Sequence, residues 1–242
     1  MLTGLLMDWI QIILLSLIQG LTEFLPVSSS AHLVLPAQLT QWPDQGLAFD
    51  VAVHFGTLIA VLAYFRTELY NLLAAAGRAP TLIRSSGWSE LISPRQPTDE
   101  NLDLLLKLAL ATLPIVLMGL AAKGVIEAHL RTVPIIATTT MLFALILWYA
   151  DRQPGQRTTI QWSDAVWIGF AQTLALIPGT SRSGITITVA LLVGLSRVSA
   201  ARFSFLLSIP AIAGAQLLLT MDLLDDRGTL KIWPLLAGAA IA

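Results

Sequence analysis

The chain has 242 residues, of which 55% are hydrophobic and only 12% charged, with a formal net charge of -1 and a mean hydropathy of +0.75. A soluble domain carries about 25% charged residues, so this composition, together with apolar runs of spanning length, excludes an ordinary soluble enzyme and indicates an integral, all-α membrane protein. Cysteine is absent, which excludes disulfides and thiolate metal sites. The net charge says nothing about partners, for which the placement of charge along the chain matters more; no nucleic-acid partner is expected.

In chain order, residues 9–18 are apolar but stop at Gln19, short of the roughly 20 residues a bilayer crossing needs. The amino terminus shows neither a basic n-region nor a small-residue cleavage site, so this run is not read as a removable signal peptide. A polar break follows, Gln19-Gly-Leu-Thr-Glu-Phe-Leu-Pro-Val-Ser-Ser-Ser-Ala-His32, and then residues 31–39 are apolar again, with Pro36 inside them. Two half-length helices meeting at a polar tip describe a re-entrant hairpin over 9–39. Residues 47–65 are long enough to span, and 66–103 form the most charged and turn-rich stretch, with a short amphipathic interfacial helix expected over 68–77. Two further spans follow at 104–122 and 133–150, separated by a loop with Lys123, Glu127 and Arg131.

After a polar linker at 151–162 the pattern restarts. A second hairpin is expected over 165–195, broken by Leu176-Ile-Pro-Gly-Thr-Ser-Arg-Ser-Gly-Ile-Thr186, then a span at 203–220 and the start of another at 233–242. Pro26 corresponds to Pro178 and Ser28-Ser29 to Thr180-Ser181, and upstream Gln19 sits near the place of Gln172. The chain therefore divides into a first repeat, 1–150, and a second, 151–242, that lacks at least one span and reads as part of a longer protein. One hairpin plus an odd number of spans per repeat makes the second copy enter from the opposite face, and paired broken helices in two such halves point to a site near the midplane. Basic residues set the orientation. Arg66, Arg78, Arg84, Arg95, Lys107, Arg152, Arg157, Arg197 and Arg202 fall on one side, against Lys123, Arg131, Arg227 and Lys231 on the other. The first side is thus cytoplasmic, and the 28–32 tip opens outward.

Ionisable groups at membrane depth are costly, and that makes the two breaks a functional site by default. Arg182 lies among Thr180, Ser181, Ser183 and Gly184 at a helix start, with Thr186 a turn further on. Backbone amides, hydroxyls and a guanidinium fork suit a phosphate or another oxyanion, although Ser and Thr that merely cap a helix would look the same. Glu23 follows Gln19 by four residues and shares its helical face; a carboxylate and an amide oxygen can hold a hard divalent cation. Ser28, Ser29, Ser30 and His32 lie just beyond Pro26, where a hydroxyl beside an imidazole can serve as nucleophile and base. The structural alternative pairs Glu23 with Arg182 and makes His32 a cap. Asp50 and His54 share a helical face and read as an outer shell or cavity mouth, His54 as a satisfied structural residue, while Asp164 reads as solvated near an interface.

The combination of Gln19-Gly-Leu-Thr-Glu23-Phe-Leu-Pro-Val-Ser-Ser29, His32 and Pro178-Gly-Thr-Ser-Arg-Ser-Gly184 closely resembles the undecaprenyl pyrophosphate phosphatase family, the bacitracin-resistance proteins of bacteria. The resemblance covers nearly the whole chain. The family's first motif opens with Glu or Gln, and Gln19 leaves one carboxylate fewer for metal; its members also continue beyond the position of Ala242. The resemblance implies a phosphoric anhydride hydrolase that converts undecaprenyl pyrophosphate to the monophosphate and inorganic phosphate, recycling the lipid carrier for peptidoglycan. It implies a multi-pass protein of the bacterial inner membrane with its active site opening to the outer side, a polyprenyl pyrophosphate lipid and the bilayer as partners, and a homodimer as the candidate assembly. Arg182 with Ser181 and Ser183 is then the clamp on the pyrophosphate, Thr180, Thr186, Ser28 and Ser30 complete substrate binding, and Glu23 with Gln19 holds Mg²⁺ or Ca²⁺. Ser29, His32 or water is the nucleophile. The rival reading is an inverted-repeat transporter or flippase for an anionic lipid or solute.

Overall fold

The computed structural model describes residues 9–40, 42, 45–87, 99–129, 132–153, 155–225 and 232–242, and every regular element among them is a helix. In order these are α1 (Trp9–Thr22), α2 (Ser29–Leu39), α3 (Gly46–Tyr64), α4 (Arg66–Ser86), α5 (Glu100–His129), α6 (Val133–Asp151), α7 (Trp162–Gln172), α8 (Arg182–Leu192), α9 (Arg197–Asp225) and α10 (Ile232–Ile241). A turn of 3-10 helix, Thr173–Leu176, prolongs α7.

Polarity in α1 is turned inside out. Gln11, Ser16 and Gln19 are buried along one face, whereas Ile10, Ile13, Leu14, Leu17 and Leu21 are exposed. Leu113, Leu117 and Leu120 of α5 and Met141, Leu142 and Leu145 of α6 are likewise exposed. Water would penalise such a surface, whereas lipid accepts it without cost. Three helices, α5, α6 and α9, are long and apolar enough to cross a membrane, and a fourth crossing results if α3 and α4, bent by 77° at their junction, are taken together. These features make the chain a multi-pass membrane protein.

The stretch read as a short interfacial helix over 68–77 belongs to a longer element, because α4 runs for 21 residues through Pro80. Glu68 in its first turn and Arg84 in its last complement the helix dipole, and Gly87, with φ 78°, ends it.

A core of Leu58, Ala111, Ala165, Ile168, Phe203 and Leu207 joins α3, α5, α7 and α9. Close approach is built into the α5–α7 contact: a Cβ on Gly169 would stand 2.7 Å from the Cα of Ala111. A second core, Ile12, Leu15, Leu33, Phe49 and Val53, packs against Leu235 and Ala237 of α10.

The linker before α7 is pinned by Arg157. Its backbone bridges Leu195, and its guanidinium bonds Val193 O (2.7 Å) and both oxygens of Asp164. Asp164 is accordingly buried, not solvated: it accepts from Arg157 and from the Gln161 amide (2.7 Å), closing a capping box at the start of α7. This clasp fixes the C-terminal end of α8, the helix whose other end begins with Arg182.

Candidate active site

The helix breaks at 23–28 and 177–181 meet inside the molecule. Glu23 is buried in the turn after α1, its amide still bonded to Gln19 O at 2.9 Å. One carboxylate oxygen, Oε2, accepts from Gln19 Nε2 at 2.9 Å and from Ser29 Oγ at 2.8 Å. The other, Oε1, accepts from Arg182 Nη2 at 2.8 Å. Ser183 Oγ adds a second tie between the breaks by donating to Leu25 O at 3.0 Å.

Local sequence explains both tips. Ser181 is the N-cap of α8 and accepts from the Gly184 amide at 3.1 Å, its Oγ also lying 3.1 Å from Ser183 Oγ. That single capping bond leaves other amides of the first helical turn available to an anion. Gly179, with φ 91°, makes the preceding turn, and two hydroxyls of α6 hold its carbonyls: Thr139 donates to Pro178 O (2.7 Å) and Thr140 to Gly179 O (2.9 Å). In the first tip, Ser28 has φ 63° and is the one non-glycine residue with positive φ among the described residues. Its carbonyl takes the His32 ring through Nδ1 at 2.9 Å.

Not every candidate converges on the carboxylate. Among the described residues His32 bonds only to Ser28, and Ser30 is exposed with its hydroxyl 3.4 Å from Ser28 Oγ. Thr186 is turned into the α8–α9 seam, 2.6 Å from Ser204 Oγ. Thr180 is buried, and its Oγ1 has no partner among the described residues.

The residue that sequence reasoning underrated is His54. Its Nδ1 bonds Asp50 O at 2.7 Å, as a structural role requires, but Nε2 stands 3.6 Å from Glu23 Oε2. A carbonyl can only accept, so Nδ1 carries the hydrogen and Nε2 is the atom turned toward the site. The only sequence signal was its shared helical face with Asp50 on the apolar helix after the first polar break.

Among the described residues no three His, Asp or Glu side chains form a ready metal cage. One observation nonetheless fits a hard cation that brings other oxygen ligands with it: Gln19 Oε1 is buried beside Glu23 and has no hydrogen-bond donor among the described residues. Glu23, Gln19 and Ser29 together offer only oxygen donors of that kind.

The chain matches the family model described as bacitracin resistance protein BacA over residues 12–242. It is also similar to a protein of Alcanivorax borkumensis named undecaprenyl-diphosphatase, 51% identical over 224 residues, which covers 91% of this chain and 80% of that protein.

Proposed function

Because this chain belongs to the bacitracin resistance protein BacA family, we propose that it hydrolyses undecaprenyl diphosphate to undecaprenyl phosphate and inorganic phosphate at the Glu23–Arg182 cluster. The observation that carries this assignment is that one buried carboxylate binds a guanidinium through one oxygen and a serine hydroxyl through the other.

Arg182 and the amides at the start of α8 receive the diphosphate oxygens, with Ser181 and Ser183 holding that turn in shape. Phosphoryl transfer depends mainly on positioning and charge neutralisation, and a guanidinium in a water-poor site supplies both. Ser29 Oγ is already the donor to Glu23 Oε2, so the carboxylate is placed to take its proton as the oxygen attacks the terminal phosphorus. The phosphoric anhydride bond breaks, undecaprenyl phosphate leaves, and water then releases phosphate from Ser29. The Ser29–Glu23 bond favours Ser29 over His32 as nucleophile, since it gives the hydroxyl an adjacent base.

A diphosphate brings negative charge beside Glu23, more than one guanidinium offsets. Glu23 and Gln19, with Ser29 adjacent, would hold Mg²⁺ or Ca²⁺. When bound, the cation neutralises phosphate charge and polarises the bond to be broken.

The two breaks are the tips of re-entrant hairpins, one per inverted repeat, in a protein of the bacterial inner membrane whose site opens to the outer side. In that setting the activity recycles the carrier lipid for peptidoglycan and underlies bacitracin resistance. A homodimer is the proposed assembly, to be read by light scattering in detergent.

The test is phosphate release from undecaprenyl diphosphate by purified protein, with EDTA and Arg182→Ala as controls. Release that survives both refutes the assignment. A phosphoenzyme trapped on Ser29 supports the covalent route, and its absence under rapid quench transfers the attack to water.

A further inference from the structure

Between α3 and α9 lies a cavity of about 670 Å³ whose walls are almost entirely carbon. Ala60, Val61 and Tyr64 form one side, Ala201 and Phe205 the other, and Phe24 stands at the lining as well. Phe24 is the residue after Glu23, and its ring meets Phe205 edge-on at 5.6 Å. Phe205 in turn follows Ser204, whose hydroxyl bonds Thr186 one turn beyond Arg182. Two residues of the lining thus neighbour the site along the chain, Phe24 beside the carboxylate and Phe205 beside the serine that bonds the guanidinium helix. Among the described residues the one charged side chain at its wall, Arg202, has its guanidinium on Glu68 and is not left to attract an anion.

We propose that this groove binds the first isoprene units of the substrate, the hydrocarbon next to the diphosphate. The inference rests on the function proposed above. A polar ligand would find almost no partner on these walls, whereas an unsaturated hydrocarbon tethered to a diphosphate at Arg182 reaches them directly. Tyr64, at 79% exposure, and Val198, at 78%, form an open side, so a chain longer than the groove passes out laterally. The groove thus reads the beginning of the prenyl chain and not its total length. An enclosed pocket would measure length; a side-open one does not.

The experiment compares dimethylallyl, farnesyl and undecaprenyl diphosphates at fixed detergent. In the unaltered protein, kcat/KM rises from dimethylallyl to farnesyl and changes little from farnesyl to undecaprenyl. Ala60→Trp and Ala201→Trp fill the groove and lower kcat/KM for the two longer substrates by about tenfold or more, as blocking an apolar subsite does. The dimethylallyl rate, which draws on a single isoprene unit, falls several-fold less in both variants, and an unchanged thermal-unfolding midpoint reports that they are folded. No gain between dimethylallyl and farnesyl, or equal losses on all three substrates, overturns the proposal. If the unaltered protein hydrolyses none of them, the functional assignment itself fails. The groove is then judged by a farnesyl phosphonate bearing a terminal benzophenone: crosslinks at Val61 or Tyr64 support it, and crosslinks only elsewhere refute it.

Discussion

Glu23 Oε1 and Arg182 Nη2 lie 2.8 Å apart across 159 residues of sequence, and both side chains are largely withdrawn from solvent, at 7% and 13% exposure. Removing one partner strands a buried charge, which typically costs about 3–5 kcal/mol, whereas replacing both costs far less. Arg182→Ala should therefore lower thermal stability and abolish phosphate release together. The double variant Glu23→Gln, Arg182→Met should recover most of the stability with no recovery of activity. Recovery of activity in the double variant would show that the pair is only structural. Arg182→Lys keeps the charge but loses the planar fork and should leave about 1% of activity or less.

Chelation should stop turnover, and added Mg²⁺ or Ca²⁺ should restore it. Gln19→Glu adds a carboxylate where a buried amide oxygen has no donor, and should lower the half-saturating cation concentration by about tenfold, because affinity follows ligand charge. Calorimetric cation titration in a non-hydrolysable diphosphate reads this apart from rate. An unchanged midpoint would remove Gln19 from the cation site.

Ser28 holds φ 63°, a region costing a non-glycine residue about 1 kcal/mol. Ser28→Gly should be neutral or slightly stabilising in thermal unfolding. Ser28→Val, β-branched at positive φ, should destabilise by about 1–3 kcal/mol and disturb Ser29 next to it. If valine is tolerated as well as glycine, the turn has another conformation.

Thr140 donates to Gly179 O, the turn that aims Arg182. Thr140→Val leaves that carbonyl without its donor at a cost of about 1–3 kcal/mol and should lower kcat more than it raises KM. Thr140→Ser restores the hydroxyl and should restore kcat. A valine variant with the serine variant's kcat would exclude a positioning role.

Asp99 caps α5 through the Asn101 (3.0 Å) and Leu102 (3.2 Å) amides and pairs with Arg78 of α4 at 2.5 Å. Burial alone would raise its pKa, but the Arg78 fork and the two amides more than offset this and hold the carboxyl below the usual range. A depressed folded-state pKa contributes stability that is present above the unfolded value of about 3.9 and lost as pH falls through the folded value. Asp99→Ala should cost about 1 kcal/mol at neutral pH, and that difference should shrink on acidification in denaturation curves measured below pH 4. A difference independent of pH would mean that the carboxylate charge contributes nothing.

Much of the helical pattern was legible because lipid imposes a simple rule: backbone groups must be satisfied within the segment, so apolar runs become helices and polar breaks stand out against them. The Ser181 cap and the Gln19–Glu23 spacing are local, fixed by helix geometry within four residues. Asp164 was misjudged because its neutraliser, Arg157, comes from a linker with no helical register to the carboxylate. The full length of α4 was hidden because Gly77 and Pro80, both unfavourable in a helix interior, lie within it.

The chain's own order of residues determined that a carboxylate, a guanidinium and clustered hydroxyls would sit in breaks between apolar segments, because desolvation leaves such groups few places to go. Tertiary structure alone decided which atoms meet. It set Ser29 rather than His32 on the Glu23 carboxylate, brought His54 to 3.6 Å from it, and laid the Phe24–Phe205 groove alongside. The turn between α1 and α2 closes the Ser29 contact, whereas the His54 and Phe24–Phe205 contacts depend on how α3 and α9 pack against that turn, and no local preference encodes a contact between separate helices.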